Sequence, residues 1–138
     1  MEYIRLLGFS ILSAITISVN AQTLEDAKNA YFLRDYQQVE SIIKALKAGK
    51  AENKLLMAEL EILTIAIDIH NDADDAGDDL EDFLDKTPNN ASFHYLAAIL
   101  WQYHAKNVSV FSKMSIYRNH VAALIKAAEL APENDRYQ

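Results

Sequence analysis

The sequence predicts an all-α protein, and three observations carry that prediction. Glycine and proline are scarce, three and two in 138 residues, so little of the chain is punctuated for turns. Beyond residue 22, apolar residues recur three and four apart rather than in alternation. Runs of β-branched residues, which would favour strands, are scarce beyond the N-terminal segment.

The first segment stands apart. Residues 6–19, LLGFSILSAITISV, form an apolar run shorter than the ~18 to 20 residues a spanning helix needs. Arg5 precedes the run, and Val19 and Ala21 hold the small-residue positions before a cleavage point. Residues 1–21 therefore read as a secretory signal peptide, and residues 22–138 as one exported domain. There is no cysteine, so neither a disulfide framework nor a lipid-modified thiol follows the leader. The core alone must hold the fold.

Six helices follow in order. The first covers about 24–33 and the second 36–48, with KAGK as its stop. The third, about 52–69, has apolar residues at Leu56, Leu60, Leu63 and Ile67 and also at Ile62, Ile65 and Ile69. A stripe that wide implies burial on two sides. The fourth, about 73–86, is closed by TPNN, and the fifth covers about 90–105. The sixth starts near Lys113 and ends at LAPEN. Connections this short suggest stacked antiparallel hairpins rather than a four-helix bundle.

Residues 70–83, HNDADDAGDDLEDF, place six Asp and one Glu around a single Gly. A calcium loop starting at Asp72 would need an oxygen ligand at its fifth position and a Glu at its twelfth, where Ala76 and Phe83 stand. Helical spacing accounts for the stretch better. Ala73, Ala76, Leu80, Phe83 and Leu84 share one apolar face, with Asn71 or Asp72 as its cap and Asp74 and Asp75 in its first turn. The remaining acids lie on the other side. Asp75, Asp78, Asp79 and Asp82 form a candidate acidic docking face for a basic segment.

The endings FLDKTPNN and AAELAPEN are alike, each with Pro just past a helix C-terminus. Before Pro88 stand Phe83, Leu80 and Ala76, and earlier Ile67, Thr64, Leu63 and Leu60. Before Pro132 stand Ala127, Leu124 and His120. In NAYFLRDYQQVESIIKAL, Tyr31, Tyr36, Val39, Ile43 and Leu46 repeat the pattern without a closing Pro. In this alternation of large and small residues over helix pairs the chain resembles the tetratricopeptide repeat family, across roughly residues 24–134. It is similar to exported bacterial members in which an insertion with an FSK element interrupts one repeat. The units would be 24–48, 52–88 and 90–132, the last with its insertion near 106–118.

That resemblance implies a right-handed superhelix, an α-solenoid, that holds partner proteins or peptides in a groove lined by the first helix of each pair. By register the groove residues would be Asn29, Phe32, Glu61, Ile65, Asp68, Tyr95, Ile99, Gln102 and Tyr103. It implies a scaffold of the bacterial periplasm, with no cofactor. After LAPEN only DRYQ remains where a covering helix is expected. The expectation is a longer parent chain, a partner, or a second copy over the C-terminal helix pair.

Charge narrows the partners. Net charge is −7. Residues 70–86 hold eight acids and one base, whereas residues 87–131 hold one acid and four bases. Nucleic acid, which demands a basic footprint, is a poor match. No two of the four histidines, His70, His94, His104 and His120, have the helical spacing of a zinc pair. No G-x-S-x-G setting or Gly-rich phosphate loop occurs. The sequence thus favours recognition over catalysis.

Overall fold

The computed structural model describes residues 22–49 and 52–137. The expected signal peptide lies outside the described residues. The fold class is all-α: the helices are α1 (Leu24–Phe32), α2 (Tyr36–Gly49), α3 (Lys54–His70), α4 (Ala76–Lys86), α5 (Ala91–His104) and α6 (Val110–Leu130), followed by a short 3-10 turn (Asp135–Tyr137). No strand occurs among the described residues. None of these helices is long and apolar enough to cross a membrane.

Five of the six helices begin on a side-chain cap that takes up an orphan backbone N–H. Thr23 and Asp26 form a reciprocal capping box at α1, with the Thr23 backbone N–H donating to Asp26 Oδ2 at 2.8 Å. Asp35 accepts from the N–H of Gln38 at α2 and Asn53 from that of Leu56 at α3. Asn90 caps α5 through Phe93, and Ser109 caps α6 through Ser112. At α4 the cap residue is Asp75, and its side chain makes no capping bond.

Two helices end alike. After α1, Arg34 has φ 61°; its N–H donates to the Tyr31 carbonyl, and the Asp35 N–H reaches Ala30. After α3, Asp72 has φ 56°; its N–H donates to Ile69, and the Ala73 N–H reaches Asp68. Both are Schellman closures, with Arg and Asp in the left-handed position usually given to Gly. The α5 end has no such residue: its cap, Ala105, is right-handed.

The chain groups into two compact units, divided between Leu60 and Glu61 within α3. In the first, α1 packs on α2, with Tyr31 and Tyr36 rings 5.8 Å apart and Ala27, Ala30, Val39, Ile42 and Ile43 buried. Lys28 and Glu59 pair at 3.4 Å. In the second, α5 packs along α6 and against α4. Phe83 of α4 is fully buried and meets Phe93 of α5 edge-on at 5.1 Å. Lys86, at the end of α4, pairs with Glu61, near the start of this unit, at 3.5 Å. On α3, Ile62, Leu63, Ile65, Ala66, Ile67 and Ile69 are all buried, matching its wide apolar stripe.

Two helix starts differ from expectation. α4 begins at Ala76 rather than near residue 73, because the left-handed turn at Asp72 consumes the residues before it. Asn71 is the C-cap of α3, and neither it nor Asp72 caps α4. Asp74 and Asp75 precede the helix, and its first-turn acids are Asp78 and Asp79. α6 begins at Val110 rather than near Lys113, so much of the segment read as an insertion is its opening turns.

Candidate functional site

The chain reversal between α3 and α4 gathers the acids around a recess. Its walls come from the turn at Asp72–Asp74, the inner side of α4, the end of α5 and the first half of α6, all in the second unit. The recess is an open cleft of about 420 Å³. Carboxylates of Asp72, Asp74, Asp78 and Glu81 line it, and no lysine or arginine does. Trp101 and His104 of α5 line it too, with Ser112, Ser115 and Asn119 from α6.

Gly77 sets how closely α4 approaches α5. A Cβ there would lie 3.0 Å from His104 Nε2 and 3.5 Å from the Trp101 ring. The glycine therefore serves a close approach rather than a turn, since its φ is not positive. Two amides answer the acids from across the cleft. Asn107 donates through Nδ2 to Asp72 Oδ1, and Asn119 Nδ2 donates to Glu81 Oε1 at 2.6 Å. These bonds hold two carboxylates in place without neutralising them. A concave wall of one sign of charge concentrates cations.

α6 is fixed behind this wall through His120. Its Nδ1 lies 2.8 Å from the Ala98 carbonyl and its Nε2 lies 3.3 Å from Gln102 Nε2. The ring can satisfy both as the Nδ1–H tautomer, donating to Ala98 and accepting from Gln102. His94, the one buried polar residue among the described residues, donates in the same manner from Nε2 to the Pro88 carbonyl at 3.0 Å.

The four acids of the expected docking face lie along one side of α4 by helical spacing. All are exposed, but only Asp78 lines the cleft; Asp75, Asp79 and Asp82 do not. Asp72, Asp74 and Glu81 belong to the cleft and were not marked from the sequence. The signal for them is the left-handed turn at Asp72, which folds acids from before and within α4 onto one wall.

The expected groove residues divide between the units. Asn29 and Phe32 lie in the first. Asn29 lines a recess of about 330 Å³ beside α1, and Phe32 is 79% exposed. The other seven lie in the second. Ile65 is only 4% exposed and presents no surface to a partner. Glu61 is held by Lys86, and Asp68 is half-buried. Tyr95 stacks on Tyr137 at 4.9 Å, Ile99 is half-buried, and Gln102 is engaged with His120. Tyr103 is 40% exposed, with His70 4.9 Å from its ring and Lys106 Nζ 4.6 Å above it.

Among the described residues, no group of three or more His, Asp or Glu side chains is arranged to hold a metal ion. Compared with known proteins, the chain matches no family model, no curated protein and no solved structure.

Proposed function

We propose that the chain is a protein-binding module of the bacterial envelope, built from tetratricopeptide-like helical hairpins, that recognises a basic segment of a partner without chemistry. The observation that carries this reading is the cleft: four carboxylates, with no lysine or arginine among the lining residues. A lysine or arginine side chain suits it, since its charged head can meet Asp74 and Asp78. The hairpin reading draws support from the matching closures after α1 and α3 and from the residues before Pro88 that bury as the resemblance implies, Ala76, Leu80 and Phe83.

The test is selective capture. Immobilised chain is exposed to periplasmic extract at low and high salt, beside an Asp74→Asn/Asp78→Asn variant and an Asp75→Asn/Asp79→Asn/Asp82→Asn variant. Partners that salt elutes, and that only the cleft variant loses, support the reading. Equal recovery by all three chains removes it.

A further inference from the structure

α6 is a surface helix without a polar outer face. One side carries Ile116, Ala123 and Ala127, all buried, and faces the core. The opposite side carries Val110, Met114, Tyr117, Val121 and Ile125, which are 79%, 65%, 52%, 50% and 55% exposed, with Phe111 beside them at 95%. Their spacing of four, three, four and four residues keeps them on one stripe of a straight helix. Over its 21 residues the helix is about 31 Å long. Side chains of these sizes leave on the order of 700 Å² of apolar surface in water, more than a monomer usually exposes as one patch.

We infer that this stripe is the seat of a second copy of the chain, paired with α6 antiparallel about a two-fold axis near Tyr117 and Arg118. The area is close to the ~800 Å² per partner of a stable interface. The stripe is also its own complement, as a two-fold contact requires. Reversed about that axis, Val110 meets Ile125 of the copy, Met114 meets Val121, and Tyr117 meets the copy's Tyr117 and Arg118. Arg118, exposed beside the stripe, comes near its own copy at the axis and Lys113 flanks the other edge, so added salt is expected to tighten the pairing. A lipid surface fits less well. The chain carries a net −7, and Glu81 is hydrogen-bonded to Asn119 on this same helix. The pairing does not rest on the cleft, which uses the Ser112, Ser115 and Asn119 side of α6.

The test is the solution mass of the full chain, purified as the cell leaves it, by sedimentation velocity over a concentration series. Wild type is expected at twice its denatured mass. Met114→Glu/Val121→Glu sets like charges opposite each other and is expected to weaken the dimer at least about a hundredfold, with helix content unchanged. Met114→Lys/Val121→Glu sets opposite charges together in the antiparallel register and is expected to restore pairing. Both variants replace the same two exposed positions, so a general folding defect would strike both. A wild type that stays monomeric, including one that instead binds phosphatidylglycerol vesicles or keeps its apolar leader over the stripe, overturns the inference. So does a dimer that both variants form equally well.

Discussion

Arg34 and Asp72 hold backbone conformations that an L side chain resists, at φ 61° and 56°. The left-handed region costs a non-glycine residue roughly 1–2 kcal/mol. At Arg34 no side-chain hydrogen bond to the described residues offsets this, whereas Asp72 accepts from Asn107. Arg34→Gly is therefore expected to raise stability by about 0.5–1 kcal/mol, read as a higher urea midpoint at constant slope. Asp72→Gly is expected to gain less, because it also loses the Asn107 bond. His120→Ala should cost about 1 kcal/mol, since it removes the hydrogen bond that ties α6 to the Ala98 carbonyl of α5. The apolar positions of the acidic stretch were legible from spacing alone: Ala76, Leu80 and Phe83 are fully buried as the pattern predicts. The left-handed turn was not, since Arg and Asp lack the glycine signature that usually marks it.

At the scale of elements, the helices were readable because period and stop signals agree. The TPNN stop is physically explicit: the Thr87 N–H and hydroxyl both bond the Phe83 carbonyl, at 3.1 and 2.9 Å, and Pro88 cannot continue the helix. Starts were less readable where two candidate caps compete. Residues 71–75 offer four side chains with capping oxygens, and backbone geometry at Asp72 decides against the early ones. At α6 the start lies at Ser109, ahead of a stretch whose exposed Val110 and Phe111 break the amphipathic pattern. Asn90→Ala, which removes the cap of α5, is expected to cost about 1 kcal/mol in denaturant unfolding. Phe83→Ala should cost about 3–5 kcal/mol by the same measurement, because it opens a cavity against Phe93 at the α4–α5 contact. By contrast Glu61→Gln should change stability by less than about 1 kcal/mol, since the Glu61–Lys86 pair is largely solvated.

At the scale of the molecule, the uneven charge along the chain becomes a feature of one wall. Residues 70–86 supply the acids, and residues 101–119 supply the opposite wall and the amides that orient two of them. Composition made the acidic stretch conspicuous, and helical register sorted its apolar from its polar side. Which acids converge depends on contacts between residues more than thirty positions apart, Asp72 with Asn107 and Glu81 with Asn119, and no local pattern encodes those. The like charge along α4 is thus divided. Asp78 and Glu81 turn into the cleft, while Asp79 and Asp82 remain in water, where repulsion between neighbours is screened.

Trp101 is the chain's one tryptophan and stands, 2% exposed, in the wall of the cleft, so its emission senses charge brought to the carboxylates beside it. The decisive titration adds short peptides carrying Lys and Arg at helical spacing, with Gln-substituted peptides as controls, at low salt. Recognition of a basic segment predicts a saturable change in Trp101 emission with the basic peptides. Added salt should reverse that change, Asp74→Asn/Asp78→Asn should abolish it, and Asp75→Asn/Asp79→Asn/Asp82→Asn should preserve it. Emission that ignores the basic peptides, or that responds equally in the cleft variant, would contradict it.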